Sequence, residues 1–182
     1  MPNWACGPVE VTGTRNGLLA FVAHFLDWNA EGKEHKVRYF ARSFLDTDRE
    51  EILEEIDLET LGKPEDAEGT ISFCASFAWS AYSCTVEGYP QYCPDKLITL
   101  SEACVQDQVS VHIWTEEPGL CFEEEIIADS DGVVENHCRE LKTVRCKHCG
   151  SLQSISSFDD SDDLECWECG ESDFEIIEQE EQ

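Results

Sequence analysis

The sequence contains few basic residues. Its 182 residues include 12 lysines and arginines against 40 aspartates and glutamates, so the formal net charge is −28. The imbalance extends along the whole chain, because residues 1–139 carry 27 acidic and 9 basic side chains and residues 140–182 carry 13 and 3. General nucleic-acid binding depends on lysine and arginine that neutralise phosphates. Direct nucleic-acid binding is therefore disfavoured.

Long apolar runs are absent as well. No stretch approaches the ~20 apolar residues that a membrane-spanning helix needs, so we expect no membrane partner. The first six residues, Met-Pro-Asn-Trp-Ala-Cys, have neither the basic nor the apolar region of a secretory signal. We therefore expect a cytoplasmic protein, in which cysteines stay reduced.

The short motifs that mark common active sites are also missing. The sequence contains no HExxH, no GxSxG and no P-loop, and its five histidines are scattered. A nucleophile pair of Cys121 and His112 is one enzymatic alternative, but so many cysteines make such pairs easy to find by chance. We expect a protein that is not an enzyme.

The chain nevertheless has enough apolar material for a folded core. Apolar residues make up 41% of it, including five tryptophans and nine phenylalanines. This composition is not that of a disordered chain, in spite of the charge. Two interpretations of the acidity remain open. In the first, the negative charge serves only to keep the protein soluble. In the second, the acidic surface binds a partner whose surface is basic.

Two cysteine pairs near the C-terminus form the most specific motif. They are Cys146-Lys-His-Cys149 and Cys166-Trp-Glu-Cys169, with sixteen residues between them and a glycine after each. CxxC…CxxC at this spacing is typical of a zinc ribbon, in which four thiolates fill a tetrahedral shell and leave no position for substrate. We predict a structural zinc ion held by these four cysteines, with Trp167 packed over it.

The other seven cysteines have no ligand-like spacing, and we expect most of them to be buried reduced thiols. They are Cys6, Cys74, Cys84, Cys93, Cys104, Cys121 and Cys138. A second metal that uses Cys84, Cys93 or His112 is the alternative.

Four basic side chains surround the first CxxC motif. They are Lys142, Arg145, Lys147 and His148. One interpretation is that they contact a phosphate backbone. The favoured interpretation is that they offset the charge of the zinc thiolates and of neighbouring carboxylates.

Hydrophobic periodicity predicts alternating strands and helices before the ribbon. Residues 9–13 alternate as a strand, a helical stripe extends from Leu18 to Leu26, and residues 37–45 form a second strand candidate. A capping box that starts at Thr47 predicts a short acidic helix.

The same patterns continue in the second half of this region. Alternation from Ile71 to Trp79 predicts a third strand, and a capping box at Thr99 predicts a helix through Val105. Residues 109–113 and 120–127 then form an antiparallel pair.

Strands flanked by segregated helices predict an α+β fold. We expect a ferredoxin-like antiparallel sheet with helices on one face in residues 1–139, because this is the commonest small version of that class. A zinc ribbon with four cysteine ligands and an acidic tail follows in residues 140–182.

Three separated blocks of the sequence resemble the YubB ferredoxin-like domain family of phages, plasmids and integrated elements. They are Met1-Pro-Asn-Trp4 with the strand and helix that follow, Phe77-Ala-Trp-Ser80, and Thr115-Glu-Glu-Pro-Gly-Leu-Cys-Phe122. Family members usually have prolines after the Ala-Trp-Ser step, where this chain has Ala81-Tyr82. The resemblance covers about residues 1–135. It implies a ferredoxin-like fold and a mobile genetic element, and it implies no catalytic residue.

Charge, motif and resemblance together predict a non-catalytic, strongly acidic zinc-binding interaction protein of a mobile genetic element. Its partner would be a basic protein surface. In the most specific form of this hypothesis, the protein is a DNA mimic that inhibits a DNA-binding host protein. The alternatives are a zinc-ribbon adaptor that contacts nucleic acid or protein, and an uncharacterised enzyme.

Overall fold

Two β-sheets and three α-helices organise the described part of the chain. The computed structural model describes residues 3–27, 36–88, 95–119, 121–155 and 164–177. In chain order the elements are β1 (Trp4–Thr14), α1 (Arg15–Val22), β2 (Leu26–Asp27), β3 (Ser43–Leu45), α2 (Arg49–Thr60), β4 (Glu68–Ala78), a π-helical turn (Ser83–Glu87), α3 (Leu100–Asp107), β5 (Val109–Glu117), β6 (Phe122–Ala128), β7 (Val134–Glu140), β8 (Lys142–Cys146), β9 (Leu152–Ile155) and β10 (Phe174–Ile177). Among the described residues, no helix is long and apolar enough to cross a membrane.

The larger sheet has seven strands in the order β2-β3-β4-β1-β5-β6-β7. All neighbouring pairs are antiparallel except β2 with β3. The eleven residues of β1 lie at the centre and pair with β4 along their whole length, and β5 pairs with the other edge of β1. The predicted α+β class with a mostly antiparallel sheet is therefore confirmed.

One face of this sheet carries the hydrophobic core. Alternate residues of the strands, such as Val9, Phe73 and Ile113, are buried there. Apolar side chains of α1, α2 and α3 join the same cluster, so the three helices cover this face. An aromatic group centred on Phe25 fills the space between α1 and the sheet, with ring centroids 5.1–6.2 Å from Phe25. We call this side of the sheet the core face.

The opposite side, which we call the open face, carries the intervening residues of β1, β4, β5, β6 and β7. Glu10, Ser72 and His112 lie there directly opposite one another and are exposed. His112 therefore points away from the neighbouring core residues, as its alternation predicts. In the described part of the chain, no helix contributes to this face.

One of the two predicted capping boxes forms in the structure. The capping box at Thr99 is confirmed, because Thr99 and Glu102 each cap the other's backbone N–H. The residue that caps α2 is Asp48, which accepts a hydrogen bond from the Glu50 N–H. Thr47 was the predicted cap, but its hydroxyl accepts a hydrogen bond from the Cys74 N–H instead.

Two predicted elements are shorter than their hydrophobic patterns. α1 ends at Val22, although the apolar stripe continues to Leu26, which belongs to β2. Of residues 37–45, only β3 is a strand, because Arg42 adopts a left-handed conformation with φ of 50° just before it. The alternation that starts at Ile71 also ends with β4, so Trp79, with φ of 69°, does not share the core face.

Candidate metal centre

The four ribbon cysteines lie on two turns of the same construction. Cys146 ends β8, the Gly150 N–H donates to the Cys146 carbonyl at 2.8 Å, and the Cys146 N–H donates to the Ser151 carbonyl at 2.9 Å. The turn that starts at Cys166 repeats both bonds at the same two lengths. The glycine after each pair has φ of 77° and 74°, a conformation that side chains with a Cβ rarely adopt.

The two turns bring four sulfur atoms together. All four lie within 4.8 Å of one another. The Cys146 and Cys169 sulfurs are 3.6 Å apart and those of Cys149 and Cys166 are 3.5 Å apart. A tetrahedral zinc ion with Zn–S bonds of about 2.3 Å requires sulfurs about 3.8 Å apart, whereas a disulfide requires about 2.05 Å. The arrangement fits a tetrahedral metal ion.

Ser151 supports this cluster from the first turn. Its hydroxyl lies 3.1 Å from the Cys149 sulfur and 3.0 Å from the Cys166 sulfur. The hydrogen bond from Ser151 lowers the pKa of Cys149 and is the main cause that lowers the pKa of Cys166 to about 6. Cys166 is therefore mostly a thiolate at neutral pH, which is the form that binds metal. Desolvation and hydrogen bonds with the neighbouring cysteines, in contrast, raise the pKa of Cys169 to about 12, so that metal binding there displaces a proton.

The three-stranded sheet holds the turns in place. Its order is β10-β8-β9, so β8 is central and its last residue, Cys146, pairs with Phe174 of β10. Gln153 on β9 is buried. Its side-chain amide donates to the Glu165 backbone carbonyl and accepts from the backbone N–H of Trp167. The Trp167 side chain is 80% exposed, so the expectation that it packs over the site is wrong.

Two basic side chains near the first turn are held by carboxylates of the ribbon. Lys147 contacts Asp173 at 2.6 Å, and this hydrogen bond raises the Lys147 pKa. Arg145 contacts Glu175 on β10 at 3.4 Å. These pairs favour the charge-offset interpretation over phosphate contacts, although exposed pairs of this kind contribute little stability.

The structure separates the candidate nucleophile pair. Cys121 immediately precedes β6, and its thiol lies 3.4 Å from the Pro118 carbonyl. His112 is five residues before Glu117, the β5 residue that pairs with Phe122. At ~3.3 Å per residue, Cys121 and His112 are roughly 16 Å apart along the strands, too far for direct proton transfer.

The structure also separates the residues of the alternative second metal site. Cys84 belongs to the buried core, where desolvation raises its pKa to about 12, whereas His112 lies on the open face. Cys93 lies outside the described residues. Among the described residues, the ribbon cysteines are the one converging group of three or more potential metal ligands.

The remaining cysteines are less buried than expected. Cys84 and Cys104 are buried, but Cys6, Cys74 and Cys138 are exposed. Cys6 and Cys74 occupy the open face, a position that the irregular spacing of cysteines does not reveal. The strand alternation of β1 and β4 would have indicated it.

The comparisons with known proteins add no relatives. No family model matches the chain, no curated protein matches it, and no solved structure matches it.

Proposed function

We propose that this protein is a non-catalytic, zinc-binding interaction protein whose acidic sheet face binds a basic surface on another protein. The open face is the observation that carries the proposal. Six of its positions are glutamates, of which only Glu123 is buried: Glu10, Glu68, Glu116, Glu123, Glu125 and Glu135. Arg139 is the only arginine or lysine among the described residues of that face.

The spacing of these carboxylates suits a basic partner. Strands are ~4.8 Å apart, and residues on the same face of one strand repeat every ~7 Å, so the face offers closely spaced negative charges on a rigid frame. A surface of this kind increases the association rate with a positively charged groove and makes binding sensitive to salt. In its most specific form, the proposal is a DNA mimic that competes with nucleic acid for a DNA-binding protein.

The metal centre has a structural role in this proposal. Cys146, Cys149, Cys166 and Cys169 would hold one zinc ion. The bonds from zinc to the four sulfurs would fix the two turns and would leave no open coordination position for a substrate. Such a site requires reduced thiols, so the proposal places the protein in a reducing compartment such as the cytoplasm.

The strand order supports the proposal of a ferredoxin-like body, which is the fold that the resemblance to the YubB family implies. β1 lies between β4 and β5, which α3 connects, and β3 lies outside β4. This order is the one expected of two interleaved split β-α-β units, built from β3, β4, β1 and β5 with α1 and α3. Helix α2 would be an insertion between β3 and β4, and β6 with β7 an extension of the sheet. A mobile-element origin follows from that resemblance.

A displacement assay tests the proposed function. A fluorescent DNA duplex is bound to each of several basic DNA-binding proteins, including restriction and CRISPR-type nucleases, and the zinc-loaded protein is added. We expect displacement of the duplex from at least one of them, with an effect that weakens between about 50 and 300 mM salt, roughly the range over which phosphate contacts lose most of their strength.

A gel shift with single- and double-stranded DNA and RNA separates this proposal from the adaptor alternative. We expect no shift, because the net charge of −28 repels phosphates. Direct binding to nucleic acid would favour the adaptor. If no basic protein releases its duplex even at the lowest salt concentration, the acidic face has no such role.

A further inference from the structure

The open face contains a depression of about 290 Å³ at its centre. It is lined by Pro8, Glu10, Ser72, His112, Trp114 and Glu125. These residues come from four adjacent strands, β4, β1, β5 and β6, so the frame of the depression is continuous sheet.

Small residues of β1 and β4 make the floor of this depression low. Pro8 and Ser72 project little above the sheet. Gly7, which precedes Pro8, lies on the core side of the sheet with Ala75, where a Cβ would be 2.0 Å from the Trp114 carbonyl oxygen, so the close approach of β1 to β5 requires glycine at this position. The larger side chains of Trp114 and His112 form the wall on the β5 side.

Two carboxylates line the depression together with the half-buried Trp114 side chain. Glu125 lies directly opposite Trp114 on β6, and Glu10 lies directly opposite His112 on β1. His112 contacts one oxygen of Glu125 at 3.1 Å and Arg139 contacts the other at 3.5 Å, so this carboxylate is held in place. Among the described residues, no cationic side chain lies within ion-pair distance of Glu10.

This combination is suited to a guanidinium group. A planar guanidinium stacks on an aromatic ring while its N–H groups donate to carboxylates in the same plane. A lysine ammonium has no plane that could stack on the ring, and it donates its hydrogen bonds from a single nitrogen. Both oxygens of Glu125 are already contacted, by His112 and by the chain's own Arg139, so Glu10 is the carboxylate that would accept from an incoming guanidinium. Glu10 lines the same depression from β1.

We propose that the depression is the binding site for one arginine side chain of a basic protein segment that crosses the open face. The proposal rests on the proposed function, because it specifies where the acidic face recognises its partner. The volume lies at the lower end of the range of about 300–1,000 Å³ for small-molecule pockets, a size that suits one long side chain. The surrounding glutamates exclude an anionic ligand.

The probe is a fluorescein-labelled peptide of six Gly-Arg repeats, measured by fluorescence anisotropy with the zinc-loaded full chain at low salt. Peptides of six Gly-Lys and six Gly-citrulline repeats are the controls for charge and for shape. We expect the arginine peptide to bind at least about threefold more tightly than the lysine peptide, and the citrulline peptide not to bind.

The variant Glu10→Gln removes one carboxylate from an exposed position and leaves the core intact. Its matched control is Glu51→Gln, which makes the same change of charge at an exposed position on α2, on the other side of the sheet. We expect Glu10→Gln to weaken binding of the arginine peptide about fivefold to tenfold and Glu51→Gln less than about twofold, because only Glu10 would accept a charge-assisted hydrogen bond from the guanidinium.

The indole N–H resonance of Trp114, assigned with Trp114→Phe, gives a second readout. We expect this resonance to shift during titration with the arginine peptide, while that of the exposed Trp167 on the ribbon stays unchanged. Tight peptide binding with equal losses in Glu10→Gln and Glu51→Gln and no Trp114 shift would mean diffuse attraction, and would overturn the arginine site.

These results are separable from those for the proposed function. If the protein displaces DNA from a basic protein and Glu10→Gln displaces it equally well, the arginine site is wrong and the acidic interaction protein stands. If neither the peptide nor any basic protein binds at low salt, both proposals are wrong.

Discussion

Removal of the metal should unfold the ribbon, which consists of β8, β9, β10 and the two cysteine turns. The seven-stranded sheet and its three helices, which we call the body, should stay folded. The ribbon has little apolar material of its own: among its described residues and the preceding linker, the buried aliphatic side chains are Leu141 and Val144. Two such side chains contribute about 3–6 kcal/mol. The apparent free energy of zinc binding to small Cys/His sites is about 10–16 kcal/mol at neutral pH, so the metal is the larger stabilising contribution.

The body does not depend on that contribution. Its core cluster extends from Ala5 to Ala128 and includes no described residue of the ribbon. A chelator should therefore abolish the dispersed amide resonances of residues 142–155 and 164–177 in a ¹⁵N-correlated NMR spectrum. The resonances of β1, β4 and β5 should stay in place.

The variant Cys166→Ser tests the same reasoning without a chelator. The Cys166 sulfur is buried and 3.5 Å from that of Cys149, so its loss removes one of four ligands. We expect the zinc content, measured by elemental analysis, to fall well below one ion per chain. Cys138→Ser is the control, because Cys138 is exposed and outside the cluster. Equal loss of zinc in both variants, or a ribbon that stays folded in chelator, would refute the assignment.

Three further predictions concern the body, each measured by urea unfolding. Asp107→Ala should lower the free energy of unfolding by about 1–3 kcal/mol, because it removes the buried hydrogen-bond partner 2.8 Å from the His24 Nε2; an effect below about 0.5 kcal/mol would contradict a buried contact. Phe25→Ala should cost about 3–5 kcal/mol, since Phe25 is fully buried in the aromatic group, and a loss typical of a surface site would contradict that packing. Desolvation raises the pKa of Cys84 and of Cys104 to about 12, above the value near 9 of an unfolded thiol; unfolding then releases their protons, so stability should fall above pH 9 by about 1.4 kcal/mol per pH unit for each thiol, and Cys104→Ala should make that slope shallower.

Local patterns were sufficient where local chemistry determines the structure. The capping box at Thr99 formed as predicted because the bonds between Thr99 and Glu102 involve residues three apart. The strand alternation from Ile71 to Phe77 was likewise correct, since a period of two places these residues on one face in any sheet.

The predictions from sequence failed where contacts between distant segments determine the position or the hydrogen bond of a side chain. Thr47 does not cap α2 because its hydroxyl is used by the Cys74 N–H, 27 residues away. Trp167 lies on the second cysteine turn, where its backbone N–H donates to Gln153 of β9 and its side chain is left exposed. No local periodicity contains this information.

The sequence by itself determined the acidic charge, the α+β class and the four cysteines that converge, because charge, hydrophobic period and CxxC spacing are local properties of a chain. Only the tertiary structure decided what lies on the open face. Glu10, Trp114 and Glu125 are far apart in sequence, and they line one depression because β1, β5 and β6 are neighbours in the sheet. That neighbourhood is fixed by packing of the helices on the core face, which brings together strands from both ends of the body.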